Sequence, residues 1–140
     1  MNTIFTNAQR ARVLTEALPY IKQYNGKIVV IKYGGNAMIN EELKQQVMED
    51  ICLLWLIGVK VVLVHGGGKH ITALLDKLNV PTRFENGYRV TDEAALDCAE
   101  MALSAQANKA IVTDPARLEV KGVGISGKDG AIAASALPTV

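Results

Sequence analysis

Two short runs of β-branched residues, joined by one helical stretch and each ended by glycines, constrain the fold of this chain most. The first run, residues 27–33 (KIVVIKY), is ended by a GG pair, and the second, residues 59–65 (VKVVLVH), by a GGG triplet. Between them, residues 41–57 carry apolar side chains at helical spacing. Such a strand–helix–strand unit predicts two parallel strands. We therefore predict an α/β fold with an open, mainly parallel sheet sandwiched by helices.

The two glycine turns are predicted to lie at one edge of this sheet. Strands joined by a crossover helix run in the same direction, and ligands of open α/β sheets bind beyond the carboxyl ends of the strands. Glycine N–H groups, the amino end of the helix that follows Gly68 and the ammonium of Lys32 all favour an anion such as phosphate. Neither turn alone is specific, because each also suits a plain turn or tight helix–sheet packing. Neither is a Walker A loop or a dinucleotide fingerprint.

The other segments carry weaker signals. Residues 8–24 have helical spacing interrupted by Pro19, which predicts a kink or two short helices, and Asn25-Gly26 ends this segment. Residues 82–90 are predicted as a loop or hairpin with an Asn-Gly turn. The further predicted elements are helices over 94–103 and 108–118, strands over 120–125 and 131–137, and a turn over 126–130.

Composition narrows the class of protein. The chain has 140 residues, of which 49% are hydrophobic and 21% charged, as in an ordinary globular domain with one core. A net charge of +1 gives no overall attraction for nucleic acid or an anionic membrane, so we expect neither partner. The most apolar run, residues 51–59, is shorter than the roughly 18 residues of a membrane span, and the N-terminus does not resemble a signal peptide. We expect a cytoplasmic protein.

Cysteines and histidines give no sign of a metal site. Cys52 and Cys98 match no metal or redox spacing and are predicted to be reduced core residues. His65 and His70 have no partner at metal-ligand spacing. We interpret His65 as structural, or as a hydrogen-bond donor to a neighbouring group.

Five motifs, in order, resemble those of the acetylglutamate kinases: KYGGNAM at 32–38, VHGGG at 64–68, NGYRVTD at 86–92, NK at 108–109 and GISGKDG at 124–130. The resemblance covers nearly the whole chain. KxGG and HGGG alone would indicate only the wider amino-acid kinase family, whereas the ordered set is specific. It implies transfer of the γ-phosphoryl group of ATP, bound with Mg²⁺, to the side-chain carboxylate of N-acetyl-L-glutamate, a step of arginine biosynthesis.

The resemblance implies a role in this reaction for several residues. Lys32 would be the catalytic lysine that stabilises the transferring phosphoryl group, and Gly34 and Gly35 would line the path of that group. In such a reaction positioning and positive charge supply most of the catalysis.

The same resemblance assigns the substrate-binding residues. Gly67 and Gly68 would hold the acyl amino acid through backbone N–H groups, and Arg89 would pair with one of its carboxylates. A guanidinium matches a carboxylate with two parallel hydrogen bonds, which makes this role physically sensible. The alternative for Arg89 is a solvated loop arginine. Lys128 and Asp129, in the turn over 126–130, are assigned no role.

The N-terminal segment resembles the extra kinked helix of the arginine-inhibited, hexameric branch of the family. The likeness lies in residues 14–21 (LTEALPYI) and places Tyr20 near an effector site for arginine. It implies an allosteric homo-oligomer, either a dimer or a hexamer. The alternative is a helix that packs on its own domain.

The chain is divided into residues 1–26, an N-terminal helical extension, and residues 27–140, an acyl-amino-acid substrate-binding lobe. Family members are roughly twice as long, and their second half holds the nucleotide lobe, so we expect this chain to be inactive alone. Two alternatives stay open. One is a non-catalytic binding or regulatory module for an acidic amino-acid derivative. The other is an amino-acid kinase acting on aspartate, glutamate, carbamate or a nucleoside monophosphate.

Overall fold

The computed structural model describes residues 5–116 and 120–132 of the chain. The helices and strands are α1 (Asn7–Tyr24), β1 (Ile28–Tyr33), α2 (Glu41–Leu56), β2 (Lys60–His65), α3 (Gly68–Lys77), β3 (Arg83–Glu85), β4 (Tyr88–Val90), α4 (Glu93–Glu100) and α5 (Asn108–Ala116). Gly35–Met38 and Asp129–Ala131 form 3-10 turns, and Met101–Ala107 is a π-helical segment between α4 and α5.

Strands β1 and β2 form the predicted parallel pair, with α2 as the crossover. Lys32 lies opposite Val64, and Tyr33 lies opposite His65. β-Branched residues suit this pairing because they pack well on a pleated, half-buried surface. One face of the pair packs against the main core cluster, which consists of Tyr33, Met48, Ile51 and Ile111. The predicted α/β class is therefore confirmed.

The opposite face of the parallel pair is open to solvent. Its four apolar side chains are between 47% and 68% exposed, and they belong to Ile28, Val30, Val62 and Val64. Parallel sheets are normally covered on both faces. Within residues 5–116 and 120–132, helices therefore flank this pair but leave that face uncovered.

Helix α1 runs without interruption through Pro19, so the segment is not divided into two helices. An interior proline removes one backbone hydrogen bond and its ring crowds the carbonyl four residues earlier, so the predicted kink at Pro19 stays a prediction. Thr6 caps the amino end by a reciprocal pair of bonds with Gln9: Gln9 N donates to Thr6 Oγ1 at 3.3 Å, and Thr6 N donates to Gln9 Oε1 at 2.8 Å. None of the residues of α1 is buried.

The carboxyl end of α1 is hydrogen-bonded to the segment between α2 and β2. Asn25 Nδ2 donates to Ile57 O at 2.8 Å, and Gly26 N donates to Gly58 O at 2.8 Å. Gly58 has a φ of +92°, and a Cβ on it would lie 2.1 Å from Asn25 Nδ2, so the contact requires glycine. The predicted end of the helix at Asn25-Gly26 is confirmed.

Strands β3 and β4 form the predicted hairpin. Asn86 and Gly87 both have positive φ angles, 52° and 83°, and they connect Glu85 to Tyr88. Two left-handed residues in a two-residue turn match the right-handed twist of the flanking strands, which is why Asn-Gly favours this turn.

The two helices predicted after the hairpin are one helical run from Glu93 to Ala116. Asp92 caps its start, because Ala95 N donates to Asp92 Oδ1 at 2.9 Å. The predicted break between 103 and 108 is wrong: that stretch contains no glycine or proline to end a helix, and it continues as the π-helical segment. The predicted end at 118 lies outside the described residues.

The predicted strand over 120–125 is also wrong, because these residues have no regular secondary structure. Their carbonyl groups are bonded by side chains of α5: Lys109 Nζ donates to Gly124 O at 3.0 Å, and Asn108 Nδ2 donates to Ile125 O at 3.2 Å. The predicted turn over 126–130 is present, with Asp129 accepting from Ser126. Of the predicted strand over 131–137, residues 133–137 lie outside the described residues, and Ala131 ends a 3-10 turn.

Cys52 and Cys98 are both 3% exposed and unpaired, so their predicted place in the core is confirmed. Cys98 packs with Leu75 and Ala95 in a second core cluster between α3 and α4. No helix in the described ranges is both long and apolar enough to cross a bilayer.

Candidate functional site

The turns after β1 and β2 lie at the same edge of the parallel pair. Tyr33 and His65, the last residues of the two strands, are directly opposite each other. Gly66 N donates to Tyr33 O at 3.1 Å, which joins the second turn to the end of the first strand. We call this edge, residues 34–35 and 66–68, the glycine rim. The predicted meeting of the two glycine turns is confirmed.

The glycine rim faces open space. A Cβ added to Gly34, Gly35, Gly66 or Gly68 would meet no atom within 4 Å among the described residues. Gly35 also has a φ of +64°, a left-handed conformation that favours glycine. Lys32 is exposed and lies on the uncovered face of the sheet, one residue before the end of β1. An ammonium and a series of accessible backbone groups therefore share one accessible edge.

Gly67 differs from its neighbours in the rim because it is closely packed from behind. A Cβ at this position would lie 2.5 Å from Leu103 Cδ2 and 3.7 Å from Ala107 Cβ. Both contacts come from the π-helical segment Met101–Ala107. Tight packing, one of the two interpretations of the GGG triplet, therefore explains Gly67 but not Gly66 or Gly68.

The amino end of α3 contributes uncapped N–H groups to the rim. Gly67 is the N-cap residue and has no side chain that could accept from them. The N–H of Ile71 is the first to bond within the helix, to Gly67 O at 2.9 Å. The N–H groups before it carry the partial positive charge of the helix end, which favours an anion.

Arg89 is half-buried and held in place, unlike the solvated loop arginine that was the alternative. Its Nη1 donates to Thr82 Oγ1 at 2.6 Å and its Nη2 to Thr72 Oγ1 at 2.7 Å. The guanidinium carbon lies 4.7 Å from the centre of the Phe84 ring. Thr72 also donates to Gly68 O at 3.0 Å, so Arg89 is connected to the first turn of α3.

Sequence reasoning missed the residues that hold Arg89, and it gave no role to Asn108 and Lys109. Thr72 and Thr82 lie 17 and 7 residues before Arg89 and belong to none of the five motifs, so the motifs did not mark them. Asn108 and Lys109 form one of the five motifs, and this was the available signal. Asn108 is 8% exposed, and its Nδ2 lies 3.3 Å from Nε2 of His65.

Two other titratable groups lie close to these turns. Burial raises the pKa of Tyr33, whose hydroxyl donates to Ala37 O at 2.8 Å and so holds the turn after β1. Two hydrogen bonds from Ser126, the first from its backbone N–H, lower the pKa of the Asp129 carboxyl. Lys128 pairs with Glu100 in the same region.

Tyr20 does not lie at the glycine rim. Helix α1 is tied to Gly58, just before the start of β2, which is the opposite end of the strands from the rim. The Tyr20 side chain is 66% exposed. No group of three or more His, Cys, Asp or Glu side chains that could hold a metal ion occurs in the part of the chain that the structure describes.

Comparison with known proteins identifies the family. The profile of the amino acid kinase family matches residues 27–137, which is most of the chain. The chain belongs to the amino acid kinase family. Both the fold class and the wider family predicted from the motifs are therefore confirmed.

Similar members of the amino acid kinase family are acetylglutamate kinases. The chain is 53% identical over 124 residues to the acetylglutamate kinase of Campylobacter jejuni, covering 89% of this chain and 44% of that protein. It is 48% identical over 127 residues to that of Pyropia yezoensis, covering 91% of this chain and 45% of the relative. The chain thus spans less than half the length of these relatives.

Two solved structures are similar to this chain. The N-acetylglutamate synthase of Neisseria gonorrhoeae, complexed with coenzyme A and N-acetyl-glutamate, matches with a TM-score of 0.56 and 26% identity over 76% of this chain and 24% of that one. The protein smu.665 of Streptococcus mutans matches with a TM-score of 0.58 and 31% identity over 66% of this chain and 37% of that one.

Proposed function

We propose that this chain is the acyl-substrate lobe of an acetylglutamate kinase. The reaction transfers the γ-phosphoryl group of ATP to the side-chain carboxylate of N-acetyl-L-glutamate and belongs to arginine biosynthesis. One observation carries the proposal: the exposed Lys32 and the uncapped amino end of α3 share the glycine rim. Similarity to acetylglutamate kinases at 48% to 53% identity supports the choice of substrate.

The reaction brings two anions together, and the proposed roles follow from this. A carboxylate oxygen of the substrate attacks the γ-phosphorus, the bond from that phosphorus to the ADP oxygen breaks, and an acyl phosphate and ADP result. The carboxylate is already ionised, so no base is needed. The ammonium of Lys32 stabilises the charge on the transferring group. Gly34 and Gly35, which have no side chains, leave room for that group at the rim.

The substrate itself is held by backbone groups and one arginine. The N–H groups of Gly67 and Gly68 donate to the acyl amino acid, at a helix end that favours negative charge. Arg89 pairs with a carboxylate. Thr72 and Thr82 use one N–H on each terminal nitrogen of the guanidinium and hold its plane in one orientation.

ATP and Mg²⁺ are expected to require more than this chain. The rim offers N–H groups and an ammonium, which suit phosphate oxygens, whereas Mg²⁺ requires oxygen ligands. The described residues therefore do not fit a magnesium site, and we assign the ion to the nucleotide. Because the chain spans 44% of its Campylobacter relative, we propose that the nucleotide lobe corresponds to the remaining part of such relatives.

A chimera tests the activity. In it, this chain replaces the matching region of the Campylobacter jejuni acetylglutamate kinase, to which it is 53% identical. We expect release of ADP that depends on N-acetylglutamate, and calorimetry should detect binding of N-acetylglutamate to the chain. The matched control is N-acetylglutamine, which lacks the side-chain carboxylate and should not be phosphorylated. ADP release with aspartate, glutamate or carbamate in place of N-acetylglutamate would instead indicate another amino-acid kinase.

A non-catalytic binding module remains the second candidate. It is favoured by the glycine rim and by the fixed guanidinium of Arg89, because both can bind an acidic ligand without a chemical step. Binding of N-acetylglutamate without ADP release, in a chimera whose parent enzyme is active, would support it.

We further propose that α1 mediates assembly of a cytoplasmic homo-oligomer that arginine inhibits. Support comes from its exposed apolar side chains, which include Val13, Leu14 and Leu18 at 58% to 68% exposure. Tyr20 on the same helix is the proposed residue near the effector. The two buried, unpaired cysteines fit a reducing compartment. Light scattering of the chain with and without residues 1–24 tests this, and an unchanged number of chains per particle would contradict it.

A further inference from the structure

Asn108 and His65 meet behind the glycine rim, and their hydrogen bonds can be fully assigned. Asn108, the first residue of α5, is only 8% exposed, and a buried amide must find partners within the protein. Three groups surround it. Ile125 O lies 3.2 Å from its Nδ2, Lys109 Nζ lies 3.1 Å from its Oδ1, and His65 Nε2 lies 3.3 Å from its Nδ2.

These partners determine the orientation of the Asn108 amide. A backbone carbonyl such as Ile125 O can only accept, so it must face the NH₂ group. The ammonium of Lys109 can only donate, so it must face Oδ1. If the amide were rotated by 180°, Oδ1 would face the acceptor Ile125 O and the NH₂ group would face the donor Lys109 Nζ, and neither pair can form a hydrogen bond. His65 Nε2 therefore faces an N–H donor.

The protonation of the His65 ring follows from this orientation. Because Nε2 faces a donor, it must offer a lone pair and carry no proton, so the proton of the neutral ring is on Nδ1. His65 Nδ1 lies 2.9 Å from Gly66 O, which can only accept. The partners of both ring nitrogens therefore indicate the same form, the neutral Nδ1–H tautomer.

The bond from His65 acts on the glycine rim through a single peptide unit. The carbonyl of Gly66 and the N–H of Gly67 belong to the same planar peptide, so the direction of one sets the direction of the other. Gly66 N is also held, by Tyr33 O at 3.1 Å. With both sides of Gly66 bonded, the N–H of Gly67 points away from His65.

We propose that Asn108 is a positioning residue: it holds His65 as the Nδ1–H tautomer, and His65 in turn orients the Gly66–Gly67 peptide so that Gly67 N–H faces the ligand. Only the last step, the ligand on Gly67, rests on the proposed function. The tautomer and the peptide orientation are properties of the chain itself and can be measured without any ligand.

Nitrogen-15 NMR of the His65 ring tests the first step on the unmodified chain. In the neutral ring we expect the proton on Nδ1 and none on Nε2; a neutral ring with its proton on Nε2 would overturn the proposal. Asn108→Asp should add a proton at Nε2, because a carboxylate opposite it can only accept. The matched control is Thr113→Val, which removes a 2.7 Å bond to Lys109 O on the same helix and should leave the ring unchanged.

Two replacements of His65 test the second step. Asparagine can place an N–H donor where Nδ1 lies, whereas glutamine places its amide nearer to Nε2. We expect His65→Asn to leave the NMR signal of the Gly67 amide close to its original position and His65→Gln to shift it. Affinity for N-acetylglutamate should fall by about tenfold in His65→Gln and by less than about threefold in His65→Asn, the scale of one hydrogen bond.

The outcomes separate this inference from the proposed function. If the unmodified chain shows the Nδ1–H form and His65→Gln shifts Gly67, while N-acetylglutamate does not bind, the positioning stands and the proposed substrate is wrong. If N-acetylglutamate binds equally to the chain and both His65 variants, the positioning role is wrong. A Gly67 signal that both variants leave unmoved would also overturn it.

Discussion

Arg89 donates to Thr72 Oγ1 at 2.7 Å, and the Thr72 hydroxyl donates in turn to Gly68 O at 3.0 Å. This relationship joins the hairpin of β3 and β4 to the first turn of α3, and it connects two parts of the proposed substrate site. A threonine hydroxyl can donate one bond and accept another, which is what this position requires.

Removing the Thr72 hydroxyl should therefore weaken substrate binding without removing the arginine. For Thr72→Val, which keeps the shape of the side chain, we expect affinity for N-acetylglutamate to fall about threefold to tenfold, because the loss of one hydrogen bond costs about 1 kcal/mol. Arg89→Lys should lower the affinity for N-acetylglutamate further, because an ammonium cannot form the paired hydrogen bonds of a guanidinium. Calorimetry on both variants checks the order, and equal affinity in Thr72→Val would exclude this positioning role.

Lys32 provides a prediction on turnover. In the chimera, Lys32→Ala should lower kcat by about a hundredfold or more, as expected when a preorganised charge is removed from a transition state. Lys60→Ala is the matched control. Lys60 lies on the same exposed face of the parallel pair but at its other end, opposite Ile28, so its loss should leave kcat unchanged. A Lys32→Ala enzyme within a few-fold of normal would show that the assigned role is wrong.

The parts of the fold that the sequence predicted have local causes. The parallel pair follows from two β-branched runs and one crossover helix, and the hairpin follows from Asn86-Gly87, whose positive φ angles glycine and asparagine tolerate. The position of the two glycine turns at one edge then follows from the parallel pairing, since parallel strands end at the same edge of a sheet.

The parts that it missed depend on contacts between distant residues. Residues 120–125 are predicted as a strand, but the side chains of Asn108 and Lys109 donate to the carbonyls of Ile125 and Gly124, and no strand forms there. The π-helical segment differs from an α-helix by a shift of one residue in its hydrogen bonds, and composition does not encode such a shift. The bonds of Arg89 to threonines 7 and 17 residues away likewise exist only in the folded chain.

Adding one methyl group at Gly67 should lower the stability of the fold. A Cβ there would lie 2.5 Å from Leu103 Cδ2, so Gly67→Ala must displace the leucine, and we expect it to lower the free energy of unfolding by about 1–3 kcal/mol. Gly68→Ala meets open space at the start of α3 and should not destabilise the fold. Urea denaturation measures the free energy of unfolding of both variants. The double variant Gly67→Ala with Leu103→Ala should show a favourable coupling between the two sites, and strict additivity would contradict the proposed clash.

Alkaline pH should destabilise the chain through three groups. Burial raises the pKa of Tyr33 and of Cys52 above their ordinary values of 10.0 and 9.0, and a hydrogen bond to Asp114 raises the pKa of Lys44 above its ordinary value of 10.5. Each group holds its proton more tightly in the folded state than in the unfolded state. The stability that each contributes is therefore complete below its unfolded pKa and is lost as the pH rises through its folded pKa.

We accordingly expect the free energy of unfolding to change little between about pH 7 and pH 8.5 and to fall steadily above about pH 9. Tyr33→Phe provides the matched variant. It loses the 2.8 Å bond to Ala37 O, at a cost of about 1 kcal/mol at neutral pH, but it cannot ionise, so its stability should fall less steeply above about pH 10. Urea denaturation across this range measures both slopes. Parallel curves for the two proteins would show that Tyr33 does not titrate differently in the folded and unfolded states.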